Sequence, residues 1–579
     1  MKILVNHMGY SVNGYKKVVV QCHGDTPAGF AIINEKGEEV YTGNLKHEGM
    51  VANWKTGDYY VGDFSDMSVE GVYRIKVENV VSDTFEISEF LLTMRMLNAA
   101  TYYFKAQRSS GEWLEDDRDL PFQDGHREGR LDAHGGWYDA TGDYGIHITH
   151  LSHSTYHNPQ QIPFSAYAFF KIHDFLTESG NECYTMLKRR MLDEGFWGVN
   201  FLMRMHAPSG GFFRSVNRVE ALTAVEGTRY IGLEYKRSSK QFGEAATAKE
   251  EVIGDENYEI SLRGGGGLAI AALAIAGRFY YPSAEYSQSE YIRTAKSAWK
   301  YLSENNERYT NDGKWNLIDE YCALMATTEL YLTTKEYDYL RHARQMVQRI
   351  YARTVEMGEN MLRLEMAEGR PYFHAAEEGM PLIALMQYAE AEMDMQKAAE
   401  AVSYVERIMR WKLSVTDNRN NPFGYPVMES LEEGKIIEKF FFPHNTPAAP
   451  WWQGDNARLA SIAAAASMLE KMTEDEELAI RCRKMAQDPL DWIMGQNPFD
   501  SCMIEGYGRN NIQYFFQDRY DFINCPGGIV NGITSGLHDE DGIEFILKPT
   551  EEIKDNWRWA EQWIPHVTWF MYAMALKME

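Results

Sequence analysis

The chain is short of everything that would tie it to a disulfide frame, a membrane or nucleic acid. Its 579 residues include only six cysteines, at positions 22, 183, 322, 482, 502 and 525, with no CxxC pair among them. Thiols scattered in this way imply neither a disulfide framework nor a zinc knuckle, and they are expected to be reduced and mostly buried. No run of about 18 apolar residues exists, which excludes a spanning helix. The opening MKILVNHMGYSV carries no apolar stretch behind a basic end, so no signal peptide is read and a cytoplasmic location is expected. Basic residues number 58 against 84 acidic ones, a net charge of −26. Phosphate backbones demand the opposite balance, so nucleic acid is not an expected partner, and anionic membranes gain no support. Neutral or cationic substrates fit this charge, although most of it is solvated surface.

Rings, by contrast, are plentiful. Aromatic residues make up 13% of the chain, with 35 Tyr and 14 Trp, against an ordinary 44% hydrophobic content. Residues 1–90 read as strands: Lys17–Cys22, Gly29–Ile33, Asp58–Gly62, Gly71–Val77 and Thr84–Ile87 are short, β-branched or aromatic, and separated by turn residues. They suggest a small β-sandwich with no chemistry of its own. From 91 to 579 the periodicity turns helical, from Leu92–Gln107 through Asn456–Met472 to Trp563–Leu576, about twelve segments in all. No fixed-period repeat marks a solenoid. A closed toroid of paired helices, the (α/α)6 barrel, accommodates that number.

The chemistry concentrates in two places. Gly135-Gly-Trp-Tyr-Asp-Ala-Thr-Gly-Asp143 sets Asp139 and Asp143 on a short segment whose Gly135, Gly136 and Gly142 allow tight turns, beside Trp137 and Tyr138. An Asp-x-x-x-Asp pair is otherwise common surface or calcium-binding decoration, but two close like charges also raise one pKa, as a general base requires. Far downstream, Glu561 stands among Trp557, Trp559, Trp563 and His566. Partial desolvation there would let it hold a proton near neutrality; a glutamate favoured by a helix dipole is the plainer reading. One acid to protonate a leaving oxygen, one base to activate water, and flat rings for the C–H faces of sugars are what hydrolysis of a sugar–sugar bond needs.

Other segments are expected to shape a cleft. His147, His150, His153 and His157 recur at helical spacing, but Asn158 and Pro159 make a poor helix, so no metal is assigned to them. A loop is expected instead, with Tyr156 closing the cleft and His157 and Asn158 bonding sugar hydroxyls. Trp451 and Trp452, with Gln453, Asp455 and Asn456, read as a sugar platform or as a loop pinned by buried rings, and Trp559 joins the substrate-binding set. Gly264–Gly267 lacks a phosphate-loop partner and is better explained by close helix packing.

These residues resemble glycoside hydrolase family 9. Val5-Asn-His-Met-Gly-Tyr10 resembles the opening of that family's N-terminal immunoglobulin-like domain. Residues 135–145 resemble its Gly-Gly-Trp-His-Asp-Ala-Gly-Asp-Tyr-Gly signature. Leu192–Gly198, Asp319-Glu-Tyr321 and Trp492–Phe499 with Gly506-Tyr-Gly508 are similar to later stretches in the same order. The resemblance implies an (α/α)6 barrel and an inverting mechanism, with Asp143 as base, Asp139 helping to hold the water and Glu561 as general acid. It also leaves structural calcium open and implies no other cofactor.

There are departures. Thr141 is inserted, so the aspartates stand four apart instead of three. Arg509-Asn-Asn replaces a Pro-His-His-Arg stretch that contacts glucose in the family's cellulases. The 147–161 loop also differs from the endo-cellulases. The expectation is therefore an exo-acting enzyme taking glucosamine or glucose from short β-1,4 oligosaccharides. An endo-β-1,4-glucanase, a non-catalytic oligosaccharide-binding protein and a metal-dependent hydrolase are the alternatives. The sequence leaves oligomeric state open.

Overall fold

Ten N-terminal strands form two sheets: β1 (Lys2–Leu4), β2 (Tyr10–Ser11), β3 (Lys17–Cys22), β4 (Gly29–Asn34), β5 (Glu39–Asn44), β6 (Lys46–Met50), β7 (Asp58–Asp63), β8 (Gly71–Val77), β9 (Val80–Val81) and β10 (Phe85–Ser88). One sheet runs β1-β3-β7-β6 and the other β2-β10-β8-β4-β5, with β9 on β8. The structure, a computed structural model, describes all residues except 90, 142–154, 219–228, 235–252, 445–451, 518, 521–523 and 578–579.

Alternation explains why β3 is buried along its whole length. Val18 and Val20, with Tyr60, face the core between the two sheets, whereas Val19 and Tyr59 face the helical part of the chain. Successive side chains on a strand point to opposite faces, so one sheet serves two cores. The junction also carries buried polar contacts. Lys17 pairs with Asp488 at 2.8 Å, and the Asn6 amide donates to Asp491 at 2.7 Å. Burial pushes the Asp491 carboxyl up to about 7.

Twelve helices of ten or more residues follow among the described residues. Six are α1 (Leu91–Gln107), α3 (Thr185–Arg204), α5 (Gln288–Tyr309), α7 (Tyr337–Tyr351), α9 (Met395–Asp417) and α11 (Glu476–Ile493). The other six are α2 (Ile162–Glu178), α4 (Gly267–Ala276), α6 (Leu317–Thr334), α8 (Met380–Ala391), α10 (Asn456–Met472) and α12 (Ile564–Leu576). The second set packs in the order α2-α4-α6-α8-α10-α12 and back to α2, which closes a ring, and each member has an outer helix against it. Composition decides which helix goes where. Every residue of α4 (GLAIAALAIA) and of α12 is buried, whereas α7 buries only a stripe through Leu340, Ala343, Val347 and Ile350. A helix apolar all round must sit inside, and an amphipathic one covers it.

The expected fold, a small immunoglobulin-like sandwich followed by an (α/α)6 toroid, is the observed one. Strands continue to Ser88 and helix starts at Leu91. Close packing at the glycine run also holds: a Cβ on Gly267 would fall 2.7 Å from that of Cys322. The helix read from Tyr337 to Val355 stops at Tyr351, where Thr354–Glu356 turns into a small sheet with Leu362–Ala367 and Arg370–Pro371. The hairpin of Met428–Glu432 and Lys435–Lys439 was likewise not expected.

Candidate active site

Each inner helix returns through an outer one, so the six inner helices run the same way and the segments entering them meet at one end of the ring. Hydrogen bonds between these entry segments bear this out. The Ile564 N–H donates to the Asp139 carbonyl at 3.1 Å, and the Gln160 N–H to the Glu377 carboxyl at 3.0 Å. The Asn316 amide donates to the Thr155 carbonyl at 2.7 Å.

The two acid-bearing segments, remote in sequence, lie against each other here. Residues 137–141 lie between two neighbouring segments, with the Tyr138 N–H on the Gln107 carbonyl at 2.8 Å on one side. On the other side Ala140 bridges Trp563, and the Thr141 N–H donates to the Gln562 carbonyl at 2.9 Å. Gly135 (φ +99°) and Gly136 (φ +73°) make the turn into this segment, as their identity predicts.

Glu561 does not begin the final helix. It follows the short helix Trp557–Ala560 and precedes α12, in an extended link with φ −66° and ψ 133°. Trp563 is extended as well. Alternation along such a link puts Glu561 and Trp563 on one side and Gln562 on the other. The Trp563 indole N–H donates to Asp139 Oδ1 at 3.1 Å, so Asp139 and Glu561 share that side. Burial pushes the Tyr103 phenol well above its ordinary pKa, and the charges of Asp139 and Glu561 both add to the shift. Both carboxylates are therefore within electrostatic reach of one hydroxyl. Asn531 braces Glu561 from behind, its N–H on the Glu561 carbonyl at 2.8 Å and its side chain against His566 at 2.7 Å. Burial lowers His566 to about 3, which keeps it neutral. Asp143 lies outside the described residues.

The expected sugar contacts fare differently. Trp137 is fully buried, its indole N–H on Glu194 at 3.2 Å and its ring against Phe104 and Phe169. Tyr138 is buried with its ring edge-on to Trp113. Both hold the turn from inside and offer no face to a sugar. Trp452 and Trp559 are buried against each other, with indole N–H groups on Ser535 and Thr534 at 2.9 and 2.8 Å. Asp455 is buried between Arg458 and Tyr425, both at 2.5 Å. Of the two readings of that stretch, the pinned loop describes Trp452 and Asp455; Trp451 lies outside the described residues. His157 is buried beside His374, with burial lowering it to about 3, and Asn158 is fully buried with its N–H on His374 at 3.2 Å. Tyr156 is half-buried, with the Arg370 guanidinium 4.1 Å from its ring centroid. His147, His150 and His153 lie outside the described residues, and among those described no three His, Cys, Asp or Glu side chains converge to hold a metal. Arg509 is not in the cleft: it pairs with Asp500 at 2.6 Å near the sandwich.

Sequence reasoning missed a buried cluster beneath the 155–160 segment. Glu377 accepts from the Tyr321 hydroxyl at 2.5 Å and from the Gln160 N–H, and burial pushes its carboxyl up to about 8. The native state then holds a proton that the unfolded chain releases near 4.5. The sign follows: this stability is fully present below about 4.5 and is lost as pH rises through 8. The expected cost is roughly 1.4 kcal/mol per pH unit across that window. Urea unfolding at several pH values should give a flatter pH dependence for Glu377→Gln than for the wild type; equal slopes would show that Glu377 does not hold a proton.

Fold and site together describe an (α/α)6 toroid with an N-terminal sandwich, in which two carboxylate-bearing segments lie against each other at one end of the ring. The model of glycosyl hydrolase family 9 matches residues 94–523, and that of the cellulase N-terminal ig-like domain matches residues 1–82; the chain belongs to glycosyl hydrolase family 9. The family match stops short of Glu561. A cellodextrinase of Butyrivibrio fibrisolvens is 23% identical over 569 residues, covering 93% of this chain and 91% of that protein. A Bacteroides ovatus family 9 structure superposes with TM-score 0.65 at 17% identity, covering 99% and 98% of the two chains. A thermostable endoglucanase from Alicyclobacillus acidocaldarius, crystallised as a single mutant, gives 0.65 at 18% identity over 100% and 99%.

Proposed function

We propose that this enzyme hydrolyses β-1,4 bonds of short oligosaccharides with inversion, releasing single glucosamine or glucose units from the non-reducing end. Asp143 serves as the base that activates water, Asp139 helps to hold that water, and Glu561 protonates the leaving oxygen. The observation that supports the reading is the pairing of the 139–141 segment with 562–564, which brings the segments bearing Asp139 and Glu561, remote in sequence, side by side. An inverting pair needs its two carboxyls roughly 6.5–9.5 Å apart, with water between the base and the sugar.

Single-unit release is supported by the way the cleft-closing segment is held. Thr155 accepts at its hydroxyl from Asn311 and at its carbonyl from Asn316, and Arg370 stacks on Tyr156. Three entry segments so tied favour a closed end over an open groove. A carboxylate at Asp139 favours a 2-ammonium sugar at the cleaved bond, because a charge-assisted hydrogen bond is stronger than one to a neutral hydroxyl. The cellodextrinase relative favours glucose at the same place.

A time course on chitosan tetramer and cellotetraose decides between them. We expect monomer from the outset with trimer accumulating beside it, and faster turnover of the chitosan tetramer. Faster turnover of cellotetraose would assign glucose instead. Dimer as the main early product would defeat single-unit release and favour an endoglucanase.

A further inference from the structure

The side of the 561–563 link that faces away from the acids is as elaborately bound as the side that faces them. Gln562 is fully buried and gathers three separate pieces of chain, around Tyr103, Thr141 and residues 525–530. Its carbonyl accepts from the Thr141 N–H at 2.9 Å and the Tyr103 hydroxyl at 3.3 Å. Its side-chain oxygen accepts from the Thr141 hydroxyl at 2.7 Å and the Cys525 N–H at 2.8 Å, and its amide N–H donates to the Cys525 carbonyl at 3.2 Å. Val530 bridges it on the remaining side. Gly528 leaves room for this amide, since a Cβ there would stand 2.4 Å from the Gln562 side-chain oxygen.

The partner that matters is Thr141, the residue by which the aspartate spacing departs from the family signature. An extra residue between Asp139 and Asp143 would leave the segment free to bow away from Glu561. Instead, Thr141 is held to Gln562 at both its N–H and its hydroxyl, next to the acid on one strand and between the two aspartates on the other.

We propose that Thr141 and Gln562 form a positioning clasp that fixes the water-holding segment against the acid-bearing segment. Thr141 and Gln562 are positioning residues in this scheme, not catalytic ones. The inference rests on the proposed roles of Asp139, Asp143 and Glu561. Loosening the clasp leaves all three carboxylates present but lets the two segments drift apart, so it acts on turnover more than on substrate affinity. A displacement of about 1 Å at reacting groups is enough to cost roughly 10²-fold. It also alters proton affinity, because nearby negative charge holds an acid's pKa up and separation lets it fall.

The test is steady-state kinetics of the full-length chain on an oligosaccharide the wild type hydrolyses, for Thr141→Val, Thr141→Ser, Gln562→Leu and the double variant Thr141→Val/Gln562→Leu. Thr141→Val should lower kcat on the order of 10-fold with KM nearly unchanged. The alkaline limb of its pH profile should move to lower pH, a shift that a smaller active fraction would not produce. Thr141→Ser keeps the hydroxyl and should restore both kcat and the limb. The double variant should be no slower than Gln562→Leu alone, since one bond is lost only once. Wild-type kcat and pH profile in Thr141→Val would overturn the clasp, as would additive losses in the double variant. If Gln562→Leu does not fold, the Thr141 pair still decides. Failure of the underlying reading looks different: Glu561→Gln would then remain fully active, whatever Thr141→Val does.

Discussion

Glu561→Gln is expected to abolish hydrolysis of natural oligosaccharides while leaving their binding nearly intact. The amide occupies the same extended link, which is fixed by backbone bonds from Asn531 and to Trp557, so the substitution need not disturb the cleft. What it removes is the proton the leaving oxygen requires, a loss typically worth 10²–10⁴-fold. A sugar alkoxide leaves poorly without that proton, whereas an activated phenolate leaves well. Aryl glycosides with good leaving groups should therefore lose far less. Initial rates on both substrate types, with binding followed by calorimetry, check the assignment. Equal losses on both would place the acid elsewhere.

What the sequence made legible, and what it hid, follows from how far each signal reaches along the chain. The strands from Lys17 to Cys22 and from Gly71 to Val77, and the helix from Asn456 to Met472, were read with the bounds observed, because side-chain alternation and apolar periodicity are local. The end of α7 was not, since Thr354 pairs with Leu364 across a turn that no local pattern announces. The acids were found through their spacing and flanking rings. The tryptophans beside them were given the wrong surroundings, because a ring's identity says nothing of which way it faces. Trp137 and Trp559 satisfy their indole N–H groups inside the protein, as buried tryptophans usually do. Gln562 was missed for a different reason. Its meaning lies in Thr141, Cys525 and Tyr103, residues that only the closed ring brings together, and a lone glutamine beside an acid carries no signal. Glu377 is a similar case: its raised pKa comes from burial, which sequence spacing does not encode.

Asp143→Asn should prove as damaging as the loss of the acid, but with a different signature. Water must be deprotonated as it attacks whatever the leaving group, so natural oligosaccharides and activated aryl glycosides should both lose on the order of 10²–10⁴-fold. That uniform loss separates a missing base from a missing acid. Asp139→Asn should cost less, because the Asn oxygen can still accept from the Trp563 indole and the water keeps its base. Azide offers a sharper check, since it is already an anion and attacks without a base. Added to Asp143→Asn with an aryl β-glycoside, it should partly restore turnover by entering from the side the water used. An inverting enzyme must then give the α-glycosyl azide, which proton NMR distinguishes from the β form. The β-azide would mean attack on the face of the departing group after a covalent step on the remaining carboxylate, Asp139. It would also require a separation near ~5 Å between the carboxyls of Asp139 and Glu561 rather than the wider gap that admits water. Undiminished hydrolysis by Asp143→Asn would remove it from the mechanism and leave Asp139 as the remaining carboxylate of that segment.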